Sequence, residues 1–416
     1  MKLSKLFGIL IFFILIQIKS ISQPCISGII NNYSNITQFD CENSVMITDP
    51  SKFKVGDLVL IYQTKNATVD VIKDTIQFGN VISYNDAGLY EFNRIKKIIG
   101  NKIFLNFFIK HNYTINDFLQ IVTVPEYSDV RICSPGLRSD VWDGKKGGIL
   151  AISVSGKLIF ENDIDVSGNG FRGGNRSLAN SSYGVTTEHI GDLELGINSD
   201  KAAQKGEGIA TIDFISGRGK WANGGGGGNL HNGGGAGGGN GGNGGFGGNG
   251  CELCYGYKEI ARGIGGSSLI YSNSENRIFL GGGGGGGHRN GVSGSNGADG
   301  GGIVIIKANE IIGNNRTIKA NGANANPSFD DGAGAGGAGG TVLLDVKTIS
   351  GNLTVNVKGG NGGSILSGND GPGGGGSGGD ARKHGQPRHQ REVRADSARR
   401  AAPQVLFLLG ALHRRR

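Results

Sequence analysis

The 416-residue sequence predicts a mainly β protein: an N-terminal β domain, then a solenoid-like, layered β-repeat scaffold with polyglycine-II-type glycine-rich inserts. Three observations lead there. Residues 23–140 read as short runs of β-branched and aromatic residues broken by turn signals. Three later segments repeat one strand–turn–strand pattern. Glycine, 80 residues in all, is gathered between those repeats instead of being spread along the chain.

The chain opens with "MKLSKLFGILIFFILIQIKSISQ", in which Lys2 and Lys5 precede an apolar run from Leu6 to Ile18. Ser20 and Ser22 then form a small-x-small cleavage site before Gln23. This is the pattern of a secretory signal peptide over residues 1–22, and its apolar run is short for a membrane span. The expected mature chain is therefore secreted, extracellular or associated with the cell surface, with no transmembrane span. At the other end, residues 380–416 contain nine Arg and one Lys and no Ile, Asn or Tyr, whereas residues 1–379 hold 22 Lys and 10 Arg. The abrupt switch reads as a frameshift or a joined foreign segment, so this Arg-rich tail is set aside from fold reasoning.

Setting it aside changes the charge argument. The formal charge of +8 falls to +1 over residues 1–379, where 32 basic residues face 31 acidic ones. A nucleic-acid partner, which a basic chain would suggest, therefore finds no support in the body of the protein.

Between Gln23 and about Asp140, "DLVLIYQ", "GLYEFNRIKKIIGNKIFLNFFI" and "FLQIVTVPEY" predict strands, and "IIGNKIFL" predicts a hairpin turning at Gly100 and Asn101. The second domain, residues 141–379, carries the repeat "GGILAISVSGKLIFENDIDVSGNG", "GGIVIIKANEIIGNNRTIKANGAN" and "GGTVLLDVKTISGNLTVNVKGGNG". Aligned, Ile149, Ala151 and Val154 match Ile303, Ile305 and Ala308, then Thr341, Leu343 and Val346. Such matches are expected of rungs in a stacked sheet.

The inserts hold the glycine: 18 of the 27 residues from Gly224 to Gly250, then Gly281–Gly287 and Gly332–Gly340. In "GGNGGNGGFGGNG" the other residues, Asn240, Asn243, Phe246 and Asn249, keep a period of three. Ordering glycine is entropically expensive, so these segments need many partners at once. Parallel polyglycine-II helices of three residues per turn, bonded sideways into a bundle, would supply them, with the Asn and Phe residues along one outer edge. Collagen is excluded, because there glycine comes only once per triplet.

Five cysteines, Cys25, Cys41, Cys133, Cys251 and Cys254, are disulfide candidates in an exported chain. The lone C-x-x-C at Cys251 and Cys254 lacks the second pair a zinc site would need. His231 and His288 each follow a glycine run, and either could bind a metal with the other or cap carbonyls with a ring N–H. Capping or solvent exposure is the expected reading. "GNDGPGG" and "NGADGGG" faintly suggest calcium turns without fitting the nonapeptide pattern, so no cofactor is expected. Asp163, Asp165 and Asp330 are the acids a polysaccharide-cleaving β-helix would draw on, but sequence adjacency places no pair across a cleft. No G-x-S-x-G, Walker motif or strand-linked G-x-G-x-x-G offers a nucleophile or nucleotide site.

On "FKVGDLVLIYQTKNATVD", "VPEYSDVRI", "VWDGKKGGILAISVSGKLIFENDIDVSGNGFRGG", "GKWANGGGGGNLHNGGGAGGG" and "FLGGGGGGGHRNGVSGSNGADGGGIVIIKANEIIG", the chain resembles the glycine-rich front portion of large secreted bacterial surface proteins, common in the Bacteroidetes. That resemblance implies export, in many members by type IX secretion through a C-terminal sorting domain, and adhesin-like modules. Residues 380–416 depart from that pattern. The glycine blocks are also similar in style to the glycine-rich domain of anaplastic-lymphoma-type receptor kinases and to phage tail-fibre tip adhesins, which implies polyglycine-II bundles presenting binding loops. No catalytic residues carry over.

The expected function is thus an exported structural or adhesive protein without catalysis. It would show loops such as Leu178–Lys205 and Tyr255–Arg277 to an unknown surface ligand, glycan or protein. The alternatives are a polysaccharide-active β-helix enzyme using Asp163, Asp165 or Asp330, or a nonfunctional piece of a longer adhesin.

Overall fold

The computed structural model describes residues 23–41, 43–72, 77–178, 202–211, 213–229, 231–250, 262–271, 276–383 and 405–406. The signal peptide, Cys251, Cys254 and nearly all of the tail, residues 384–404 and 407–416, lie outside the described residues. So does most of the two loops expected to meet a ligand.

Every regular element among the described residues is a strand. Six antiparallel strands, β2 (Tyr33–Cys41), β3 (Ser44–Ile47), β8 (Lys102–Leu105), β7 (Tyr90–Ile99), β4 (Leu58–Gln63) and β9 (Leu119–Thr123), close in that order into a barrel. Ile36, Val45, Val59, Ile61, Ile103 and Ile121 fill its interior. The expected hairpin joins β7 to β8, with Gly100 at φ 54° in the turn.

The other sheet is a stack of parallel strands. In it, β12 (Ile149–Phe160), β14 (Ile303–Ile312), β16 (Thr341–Ser350) and β18 (Asp380–Lys383) lie one above the next. A second ladder runs through β13 (Ile164–Asp165), β15 (Arg316–Lys319) and β17 (Leu353–Asn356). The expected rungs are found: Ile149, Ala151 and Val154 pair with Ile303, Ile305 and Ala308, and these with Thr341, Leu343 and Val346. At the lower end β11 (Val130–Arg138) pairs with β12 and β13, and β1 (Cys25–Ile29) adds to β11. A Cys25–Cys133 disulfide ties these two strands together. Cys41 ends β2, and its side chain is not described.

Alternation along each strand sends residues to two cores. Leu150, Ile152, Val304, Ile306, Val342 and Leu344 face inward between the two ladders. Ile149, Ala151, Ile303 and Ile305 face the barrel residues Leu60, Tyr62 and Val122 and an aromatic layer of Phe78, Trp142, Phe171, Trp221, Tyr271 and Phe279. At that junction Glu207 binds Lys65 Nζ at 3.3 Å, Arg172 Nη2 at 2.6 Å and the indole N–H of Trp142 at 3.0 Å.

The glycine segments are ordered by hydrogen bonds to one another. In the segment from Gly281 to His288 the N–H groups point to three neighbours in rotation. Gly281, Gly284 and Gly287 donate to Gly301, Ala298 and Ser295; Gly282, Gly285 and His288 to Gly239, Ala236 and Gly233; Gly283 and Gly286 to Glu207 and Gln204. Its carbonyls accept from three further segments with the same period, at Phe171, Gly174 and Ser177, at Gly225 and Gly228, and at Gly332, Ala335 and Ala338. One segment is thus surrounded by six. The approach is too close for a side chain: a Cβ on Gly285 would fall on the Gly226 carbonyl and 2.9 Å from the Gly227 nitrogen.

The period-three residues divide. Phe246, 58% exposed, and Asn243 lie on the outer surface, but Asn240 is buried, because the chain reverses there and its amide donates to the Gly339 and Gly340 carbonyls. Among the described residues no helix is long and apolar enough to cross a membrane.

Candidate functional site

Four glycine segments end together at the far tip of the bundle. The N–H groups of His288, Gly332 and Gly371 donate to the carbonyls of Gly233, His288 and Asn232, and these three bonds set the tip loops side by side. Each loop precedes its own coil by the same distance: Ser293, Asp331 and Asp370 lie ten residues before the strand starts Ile303, Thr341 and Asp380. Stacking the coils therefore stacks the loops.

Asp331, 1% exposed, is fully engaged. One carboxylate oxygen accepts the N–H groups of Asn290 (3.2 Å) and Gly291 (3.1 Å), and the other accepts the Ser293 N–H and hydroxyl, both at 3.1 Å. Ser293 Oγ also bonds Asp330, which is exposed. Asp370 accepts the Asn232 side-chain N–H at 3.0 Å. Burial, with the like charges of Asp331 and Asp330 adding to it, lifts the Asp370 carboxyl above its ordinary value against the pull of the Asn232 bond and of His231. Asp370 lines a groove of about 740 Å³ together with Asn249, Ser364, Ile365, Asn369 and Pro372. Phe329, 60% exposed, precedes Asp330 in the chain.

The two histidines meet at this tip in different roles. His288 is buried, and burial, with His231 adding to it, holds it down to about 3, so its ring is neutral. Its Nδ1 accepts the Asn232 backbone N–H at 3.0 Å, so the ring proton sits on Nε2. Solvent exposure, one of the two expected readings, is thereby excluded for His288, and its Nδ1 receives a backbone N–H. His231 lies 3.3 Å, through Nε2, from the Asn290 side-chain nitrogen. Among the described residues no three His, Cys, Asp or Glu side chains form a metal-binding group.

Asp163 and Asp165 are elsewhere. Asp163 accepts the Thr317 N–H at 2.9 Å and pairs with Lys319 at 3.0 Å, while Asp165 lies 3.9 Å from the same ammonium. They bind adjacent coils together on the β13–β15 ladder. A second groove, about 560 Å³, crosses β12, β14 and β16 at Ser153, Lys307, Asn309, Asp345, Lys347 and Lys383, and holds a single carboxylate. Each groove is thus lined by one carboxylate among the described residues, and Asp370 lies within the field of further acids, Asp331 and Asp330. The sequence does not single out Asp370 because the groups around it are far away along the chain, Asn232 by 138 residues; the equal ten-residue offset from each strand start is the signal that points to it.

No family profile and no curated protein sequence matches the chain. Among solved structures it is similar to the Gp54 tailspike of Acinetobacter baumannii bacteriophage AP22, in complex with A. baumannii capsular saccharide, at 17% identity over 32% of this chain and 23% of that one, with a TM-score of 0.16. It is also similar to the tailspike protein gp49 of Pseudomonas phage LKA1, at 12% identity over 35% of this chain and 26% of that one, with a TM-score of 0.17. The matched stretch spans about a quarter of each tailspike. The expectation of a structural or adhesive protein without catalysis is corrected here. It rested on the absence of converging acids, whereas the charges of Asp331 and Asp330 reach Asp370, which lines a groove.

Proposed function

We propose that this is a polysaccharide-active β-helix protein that receives a glycan strand at the tip of a polyglycine-II bundle. One observation carries the reading: a carboxyl held above its ordinary value, Asp370, lines a groove and lies within the field of a second, exposed carboxylate, Asp330. Glycosidic cleavage needs that division of labour. Asp370, protonated to higher pH than a free aspartic acid, donates its proton to the leaving glycosidic oxygen. Asp330 accepts the proton of the attacking water. Asp331, bonded by backbone N–H groups, fixes the loop, and its charge adds to the burial that raises the Asp370 carboxyl. The Phe329 ring offers an apolar face to a pyranose ring. Export through the Lys2–Ser22 leader would place the protein where such polymers occur.

The test is release of reducing ends from a panel of neutral, amino-sugar and uronate polysaccharides. Asp370→Asn should lower the rate by about 10²–10⁴-fold, the usual worth of a general acid. The wild-type kcat/KM should fall as pH rises through the elevated Asp370 pKa. Release that survives Asp370→Asn unchanged removes the assignment, and no release from any polymer removes the enzymatic reading.

A further inference from the structure

The barrel-facing side of the parallel stack changes character along its strands. Ile149, Ala151, Ile303 and Ile305 lie under the barrel, and Leu343 packs on the same layer. Two residues further along each strand, on that same face, Ser153, Lys307 and Asp345 stand in register, and two further still come Ser155, Asn309 and Lys347. These later rows have no cover: Lys307, Asn309, Asp345 and Lys347 are exposed. Together with Lys383 they line the groove of about 560 Å³, a volume within the range of ligand clefts, about 300–1,000 Å³.

The groove is cationic, with Lys307, Lys347 and Lys383 set against Asp345. Elsewhere on the stack lysines are answered from neighbouring strands: Lys157 pairs with Glu310 at 3.8 Å and Lys319 with Asp163 at 3.0 Å. Among the described residues Lys307 and Lys347 make no ion pair. Their Cα atoms, one strand spacing across and two residues along, stand about 8 Å apart, a span that two long side chains can close on one anion. Asp345 narrows the class of that anion. A polyphosphate with a charge on every unit would be repelled by it, whereas an acidic sugar carries hydroxyls between its charges, and a carboxylate accepts from hydroxyls.

We propose that this flank groove binds an acidic polysaccharide, with a sugar carboxylate seated between Lys307 and Lys347 and ring hydroxyls donating to Asp345. Ser153, Ser155 and Asn309 supply further donors and acceptors along the floor. The site goes beyond the cleavage assigned to the tip and uses none of its carboxylates.

Titration calorimetry on the whole chain with an oligogalacturonate, its methyl-esterified counterpart and an oligonucleotide of equal charge tests it. The oligogalacturonate should bind about tenfold or more tighter than the ester, about 1.4 kcal/mol, and tighter than the oligonucleotide. Raising salt to about 1 M, where the Debye length falls to about 3 Å, should shrink that preference. Lys307→Gln with Lys347→Gln, at exposed positions outside the cores, should bring acid and ester within about twofold. Lys52→Gln with Lys54→Gln, exposed lysines between β3 and β4, should leave the preference in place. Equal binding of the ester, tighter binding of the oligonucleotide, or no binding overturns the inference. So does a preference that survives in the Lys307 and Lys347 variant or is lost equally in the Lys52 and Lys54 control. Acid-selective binding without cleavage of any polymer leaves this inference standing and removes the enzymatic reading of the tip; cleavage without acid-selective binding does the reverse.

Discussion

His288 and Glu207 show how single buried groups couple this fold to acid. His288 is held down to about 3, so the folded state keeps a neutral ring where the unfolded chain would protonate near 6.5. A depressed pKa contributes stability that is present above the unfolded value and is lost as pH falls toward the folded one. Stability should therefore decline between about pH 6.5 and pH 3 by several kcal/mol, at about 1.4 kcal/mol per pKa unit. Denaturant melts should show the slope in the wild type and lose most of it between about pH 6.5 and pH 4.5, above the Glu207 range, in His288→Gln. For Glu207, burial alone would raise the carboxyl, but Lys65 and Arg172 outweigh it and hold it down to about 2. Burial draws Lys65 below its ordinary value, yet the charged pair is the form supported by the three cationic and indole donors on one carboxylate. Its contribution is present above about pH 4.5 and is lost as pH falls toward 2. Glu207→Gln strands the Lys65 charge beneath Trp142, Phe118 and Phe171, and should cost about 3–5 kcal/mol in urea unfolding.

Among the elements, the glycine segments are distinguished by how little space they leave. Gly285 lies in the segment ringed by six others, and a methyl there meets the Gly226 carbonyl group, whose backbone is itself bonded into the bundle. Gly285→Ala should cost about 3 kcal/mol or more or prevent folding. Gly242 sits where the chain reverses, and a methyl there would meet only the Ser377 Cβ at 3.7 Å, an ordinary contact. Gly242→Ala should change the thermal midpoint little. Equal effects at both positions would mean that glycine serves here for flexibility and not for close approach. The strands follow a simpler rule: alternate residues enter one of two cores, so the column Ile152, Ile306 and Leu344 is apolar while Lys307 and Asp345, one residue further on, face solvent. That column ends at Lys383, paired with Leu344, where the tail composition breaks the pattern.

In the whole molecule, barrel, parallel stack and glycine bundle share one apolar layer and are joined by contacts far apart in sequence. Cys25–Cys133 closes a separation of 108 residues and fastens β1 to the lower end of the stack. Reduction should lower stability by about 2–4 kcal/mol, read as a shifted denaturant midpoint. An unshifted midpoint would mean that β1 is held by its ladder bonds alone.

Much of this architecture was legible in the sequence, because its signals are local and periodic. The three repeats, their rungs, the hairpin at Gly100 and the candidacy of Cys25 and Cys133 follow from alternation, turn chemistry and spacing that neighbouring residues carry by themselves. The candidate site was not legible in the same way. Asp330 stood out but Asp370 did not, and Asp163, equally prominent, proved to be an ion-pair partner of Lys319. Which acids meet depends on the stacking of coils about thirty-eight residues apart and on backbone bonds between glycine segments, which bring Asn232, His288, Asp331 and Asp370 to one point. Sequence by itself determined that the chain is built of β-strands and that its glycines recur in blocks. Tertiary structure alone decided which side chains share the tip, because a carboxyl's proton affinity is set by charges and burial brought to it through space.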